Sequence, residues 1–123
     1  MSVLTGDPER LTLDLSDMDV VSRVARALSV PKRLEILKLL GEKKVMSVNE
    51  IAQELGIPLS SASVHIGILE EANLIICERV PSIHGSMKMC NYKRESILFH
   101  LCQDLRICDI RKIAFNQRFS DPL

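Results

Sequence analysis

Residues 51–75 read IAQELGIPLSSASVHIGILEEANLI, and the way this stretch folds decides the fold of the chain around it. Ile51, Ala52 and Leu55 mark one side of a short helix, and Gly56 offers the positive backbone angle of a tight turn. Pro58 then suits the opening of a second helix, expected to run to about Ala72. At about 100° per residue, Ala62, Ile66 and Leu69 fall on one face of that helix, flanked by His65 and Ala72. That face packs. The opposite one carries Ser60, Ser63, Val64 and Gly67, with Glu71 at its far end, and its small side chains let another large molecule come close. Serine hydroxyls bond phosphates or base edges, so a groove of double-stranded DNA fits such a face.

The elements on either side extend this reading. Upstream, Ser47-Val48-Asn49-Glu50 has the form of a capping box, so the helix before the turn starts near Val48 and ends at Leu55. A first helix is expected after Ser16 or Asp17, reaching about Leu28 with Val20, Val21 and Val24 on one side. A second should start at Pro31, carry Leu34, Ile36, Leu37 and Leu40 as its apolar stripe, and stop at Gly41. Downstream, residues 74–77 and 87–92 read as two short antiparallel strands around a turn-rich tip containing His84 and Gly85. From about Glu95 the spacing of Leu98, Leu101, Leu105 and Cys108 predicts another helix. Leu11, Leu13 and Leu15 alternate as in a short strand or an extended arm.

Two helices joined by a tight glycine turn, the second presenting its N-terminal half outward, make a helix-turn-helix, and the hairpin after it makes a wing. Residues 27–75 resemble the ArsR-type winged-helix transcriptional regulators: ALSVPKRLEILKLL resembles their opening helix pair, IAQELGI the helix before the turn, and SSASVHIGILEEANLI the recognition helix and its exit. The resemblance implies a mostly α winged helix-turn-helix with a small β-hairpin wing, binding DNA through Ser60, Ser61, Ser63, Val64 and Gly67. Arg79, His84 and Lys88 of the wing would follow the phosphate backbone. Family members commonly carry more polar residues where this chain has Pro58, Val64 and Gly67, so phosphate contacts and DNA shape take a larger share of recognition. A homodimer is expected, with Val20, Val24, Leu98, Leu101 and Leu105 as candidate interface residues, although such a stripe also serves to close a protomer's own core.

Composition sets the outer bounds. A chain of 123 residues with 46% apolar and 26% charged residues fits one globular unit. It divides into an N-terminal arm (1–15), the winged helix-turn-helix (16–94) and a C-terminal helical, dimerising segment (95–123). Net charge is zero, so any pull on nucleic acid is local: residues 76–94 hold Arg79, Lys88, Lys93 and Arg94 against Glu78 alone. No apolar run approaches the roughly 20 residues that span a bilayer, and the N-terminus lacks the basic start and apolar block of a secretory signal. A cytoplasmic location without membrane partners is the expectation.

Cys77, Cys90, Cys102 and Cys108 lack metal-finger spacing, and the cysteine pair that metal-sensing ArsR-type proteins usually carry near the helix before the turn is absent. Cys77 and Cys90, on the two hairpin strands, face each other in one register. The four thiols read first as small apolar packing residues and second as a redox or metal switch. No metal or cofactor is expected, and no catalytic constellation stands out, so enzyme function is set aside. The effector, a small molecule or an oxidant, is left open. Two other readings remain: a winged helix used for protein interaction, to which zero net charge and Val64 lend some support, and the DNA-binding portion of a larger regulator.

Overall fold

The computed structural model describes residues 10–101. Leu105, Cys102 and Cys108, and the apolar positions from Ile110 to Phe119, lie outside the described residues. The chain order is β1 (Arg10–Asp14), α1 (Met18–Leu28), α2 (Pro31–Lys43), β2 (Val45–Ser47), α3 (Val48–Leu55), α4 (Leu59–Glu71), β3 (Ile75–Ser82), β4 (Gly85–Tyr92) and β5 (Ser96–His100).

Four helix ends have an identifiable cause. Asp17 caps α1, its carboxylate accepting from the Val20 amide at 3.5 Å. Pro31 opens α2, where a missing N–H is harmless because first-turn amides have no partner inside the helix. The capping box of α3 is formed as read: Ser47 Oγ accepts from the Glu50 amide at 3.1 Å, and Glu50 Oε1 accepts from the Ser47 amide at 2.8 Å. Gly56 ends α3 in the left-handed region at φ 65°, the position where a side chain is disfavoured.

Two details of α2 differ from the sequence expectation. Gly41 lies inside the helix rather than stopping it, and the stop is Lys44 at φ 75°. Leu34 is exposed, while Ile36, Leu39 and Leu40 go into the core. A shift of the stripe brings Arg33 inward as well, and Arg33 has work there: its guanidinium donates to the Ala27 carbonyl at 2.8 Å and to the Arg26 carbonyl at 3.1 Å. Both carbonyls lie in the last turn of α1, where helical partners run out; the Arg26 carbonyl also accepts from the Ser29 amide at 3.2 Å and the Ser29 hydroxyl at 2.7 Å.

The core gathers Val24 and Ala27 of α1, Ile36 and Leu40 of α2, Ile51 of α3, Ile66 and Leu69 of α4, and Leu74, Ile75 and Cys90 of the wing base. Burying a side chain such as Ile66 or Leu69 contributes about 1.5–3 kcal/mol. β2, β4 and β3 form a three-stranded antiparallel sheet with β4 in the middle. The hairpin strands extend further toward the tip than expected, leaving Ile83 and His84 as the turn.

The largest departure is at residue 96. Ser96–His100 is a strand, not the start of a helix, and pairs in parallel with β1, Leu11 opposite Ile97 and Leu13 opposite Phe99. Leu11, Leu13 and Ile97 pack on the core, so the arm and the segment after the wing close one side of the winged helix together. Among the described residues no helix is long and apolar enough to cross a membrane.

Candidate nucleic-acid interface

Helix α4 is positioned by its buried face. Ala62, Ile66 and Leu69 are fully buried, which turns Ser60, Ser63 and Val64 outward and leaves Ser61 and Gly67 at the margin. Val64 is 61% exposed. The α4 N-terminus has no side-chain cap, so no capping side chain takes up its first amides, beside Ser60 and Ser61, an arrangement that suits a phosphate oxygen. A Cβ added at Gly67 would meet nothing within 4 Å. Packing inside the protomer therefore gives no reason for a glycine here, whereas close approach of an outside body does.

The wing stands beside this face. Arg79 of β3 is opposite Lys88 of β4. Together with Ser63 of α4 and Asn49 of α3 they line a groove of about 210 Å³ between helix and wing. The groove thus unites Ser63, Arg79 and Lys88 from the residues expected to meet DNA. Lys88 is also held from inside, its Nζ lying 3.2 Å from Glu70 Oε1 of α4, so one ion pair ties the wing to the recognition helix. Arg79 is exposed. His84 is exposed at the tip, apart from the groove, beside Ile83 at 95% exposure. Ile83 did not stand out in the sequence, because nothing local distinguishes an apolar tip residue from a strand residue.

The other two cations of residues 76–94 sit elsewhere. Lys93 Nζ donates to Asn73 Oδ1 at 2.6 Å at the wing base. Arg94 is half-buried and lines a separate cavity of about 470 Å³ with Leu37, Tyr92 and Ile97.

His65, at the margin of the packed face, is a structural residue in this arrangement. Its Nδ1 lies 3.2 Å from Arg33 Nη1. A guanidinium only donates, so Nδ1 must accept and the ring is neutral. Burial first, then the positive charges of Arg33 and Lys32, hold its pKa below the ordinary 6.5. Arg33 so links the end of α1, α2 and the recognition helix.

Of the residues expected at a dimer interface, Val24 is 1% exposed and belongs to the protomer's own core, and Val20 packs partly against it. Leu98 on β5 and Leu101 just after it are 41% and 71% exposed.

Comparison with known proteins agrees with this geometry. Residues 27–78 match a family model described as a helix-turn-helix domain. Nothing matches among curated proteins. Among solved structures, the chain is 27% identical, with TM-score 0.57, to a possible transcriptional regulatory protein from Mycobacterium bovis (fragment 1–100), covering 85% of this chain and 95% of that one. It is 30% identical, again with TM-score 0.57, to a solution structure from Mycobacterium bovis described as a homodimeric winged helix-turn-helix DNA-binding domain of a possible ArsR-family transcriptional regulator. That match covers 66% of this chain and 70% of that one. The fold is shared, at 18% identity and TM-score 0.52, with a further ArsR-family transcriptional regulator. With its helix-turn-helix, its wing and this likeness to a winged helix-turn-helix domain together, the chain belongs to the ArsR family of winged helix-turn-helix transcriptional regulators.

Proposed function

We propose that the chain is a non-enzymatic, cytoplasmic repressor that binds a pseudo-palindromic operator in double-stranded DNA as a homodimer. The observation that carries this reading is the outward face of α4, small-sided from Ser60 to Gly67 and open in front of Gly67, with Arg79 beside it. A face of that shape enters a major groove, Ser60, Ser61 and Ser63 bond phosphates or base edges, and Val64 meets an apolar edge such as a thymine methyl. Arg79 and the His84 tip follow the backbone.

The homodimer is supported by the outer face of the two-stranded layer. Parallel strands are normally covered on both faces. Here one face of β1 and β5 packs on the core through Leu11, Leu13 and Ile97, while Leu98 on the opposite face, and Leu101 just beyond the end of β5, are left exposed. The Mycobacterium bovis domain is itself homodimeric. Two-fold symmetry sets the recognition helices about 34–36 Å apart, one turn of DNA.

The test is retention of mixed genomic double-stranded fragments at two salt concentrations, followed by sequencing. Salt-sensitive retention of fragments sharing an inverted repeat is expected. Absence of retention at low salt would transfer the exposed Val64 and Leu59 to the alternative, a protein-binding face.

A further inference from the structure

The base of the wing holds a feature that DNA binding alone does not require. Cys77 of β3 and Cys90 of β4 are direct cross-strand partners, and their sulfur atoms are 3.3 Å apart. Both are free thiols; Cys90 is fully buried and Cys77 half-buried. Directly opposed residues of an antiparallel pair have Cα atoms roughly 4.5–5.5 Å apart, inside the roughly 4.4–6.8 Å that a disulfide spans. Closure therefore needs the sulfurs to approach by little more than about 1 Å, without a change of register.

Two such thiols in contact could be simple packing, since cysteine is a common core residue. Their place in the wing argues for more. Two residues further toward the tip, on the same face of the hairpin, lie Arg79 and Lys88, themselves cross-strand partners, with Lys88 ion-paired to Glu70 of the recognition helix. A bond between Cys77 and Cys90 would alter the twist of the hairpin immediately beneath the charged pair that faces DNA.

We propose that Cys77 and Cys90 form an oxidisable dithiol whose closure to an intramolecular disulfide changes how the wing presents Arg79 to DNA; the regulatory half of this inference rests on the DNA-binding reading above. The oxidant class is a hydroperoxide. The Cys77 thiolate attacks a peroxide oxygen, the O–O bond breaks, and the sulfur becomes a sulfenic acid as hydroxide leaves. The Cys90 sulfur then displaces the sulfenic oxygen, giving the disulfide. In sum, two thiols and one hydrogen peroxide give one disulfide and two waters, the thiols losing the two electrons that the peroxide gains.

The order of attack follows from the surroundings. Cys77 is the more accessible sulfur, and although burial pushes its pKa up, contact with Cys90 and the Lys88 charge favour its thiolate while Glu70 opposes it. Burial, and then the hydrogen bond with Cys77, push Cys90 up to about 12. Cys90 is therefore the resolving thiol. Because a thiolate must form first, closure is slow at neutral pH and speeds up as pH rises.

The test uses the full chain with Cys102→Ser and Cys108→Ser, so that only this pair can react. Reduced protein is treated with hydrogen peroxide, blocked with N-ethylmaleimide and digested with trypsin. Cleavage after Lys44, Arg79, Lys88 and Lys93 separates Cys77 and Cys90 into different peptides. The expected product is peptide 45–79 joined to peptide 89–93, released by a reductant. Maleimide on both cysteines after peroxide, or sulfinic acid at Cys77 with no cross-link, overturns the proposal. In parallel, reduced and oxidised protein are compared for retention of double-stranded genomic fragments. A reversible change of about threefold or more in affinity is expected, and Cys77→Ser should make retention insensitive to peroxide. Cross-linking with unchanged retention refutes the regulatory role. Failure of reduced and oxidised protein alike to retain DNA refutes the DNA reading and this regulatory role with it, while the cross-linked peptide reports separately on the chemistry.

Discussion

Gly67 and His65 are neighbours on α4 with opposite reasons for being there. Gly67 faces open space, so Gly67→Ala should stabilise the helix, by about 0.8–1 kcal/mol, while weakening DNA binding because the added methyl stands at the approach surface. Urea unfolding and fragment retention measure the two effects; tighter or unchanged binding would remove Gly67 from the interface. His65 is held neutral by burial and by Arg33. Its folded pKa is below its unfolded value, so the unfolded chain binds the extra proton more readily as pH falls. The His65 contribution to stability is therefore complete above about pH 6.5 and is lost as pH falls through the folded value. His65→Gln, which keeps an acceptor for Arg33, should flatten that part of the profile of melting temperature against pH between 7 and 5. An identical profile in the variant would assign the acid sensitivity to other groups.

The recognition helix and wing act as a pair joined by the Lys88 and Glu70 ion pair. Ser63 and Arg79, one from each, line the same groove and both are exposed. Ser63→Glu with Arg79→Glu should therefore leave folding intact but reduce DNA affinity on the order of 100-fold, by removing a cation and placing two anions against phosphates. Unimpaired retention by a folded variant would sink the assigned interface. The helix before the turn depends on its capping box. Ser47→Ala should cost about 1 kcal/mol, read as a lower urea midpoint, because the Glu50 amide loses its acceptor, the hydroxyl of the buried Ser47.

In the whole molecule, β1 and β5 complete the core on one side and leave Leu98 and Leu101 outside. Leu98→Asp with Leu101→Asp should change protomer stability by no more than about 0.5 kcal/mol, as exposed substitutions do, yet shift the sedimentation profile from dimer to monomer. A variant that remains dimeric would place the interface elsewhere. Operator binding should weaken together with dimerisation, since two half-sites then lose their linkage.

The winged helix was legible because its signals are local. The capping box at Ser47 and Glu50, Gly56 in its left-handed turn, and the spacing of Ala62, Ile66 and Leu69 each act within a few residues, and the structure has all three. The outward serine face follows from that same periodicity. Three features were decided beyond the helical periodicity, two of them by packing between distant segments. The spacing from Glu95 predicts a helix, yet Ser96–His100 is a strand because β1, at the other end of the domain, offers Leu11 and Leu13 as partners. Arg33 is inside because the Ala27 and Arg26 carbonyls at the end of α1 and the His65 ring all offer acceptors to its guanidinium, a convergence invisible along the chain. The Cys77 and Cys90 contact belonged to one possible strand register, and the hairpin turn at Ile83 and His84 selected it. A one-residue slip there would turn every wing side chain to the other face, so the turn fixes the register, and the packing of the wing base on α4 then decides which charges stand beside the recognition helix.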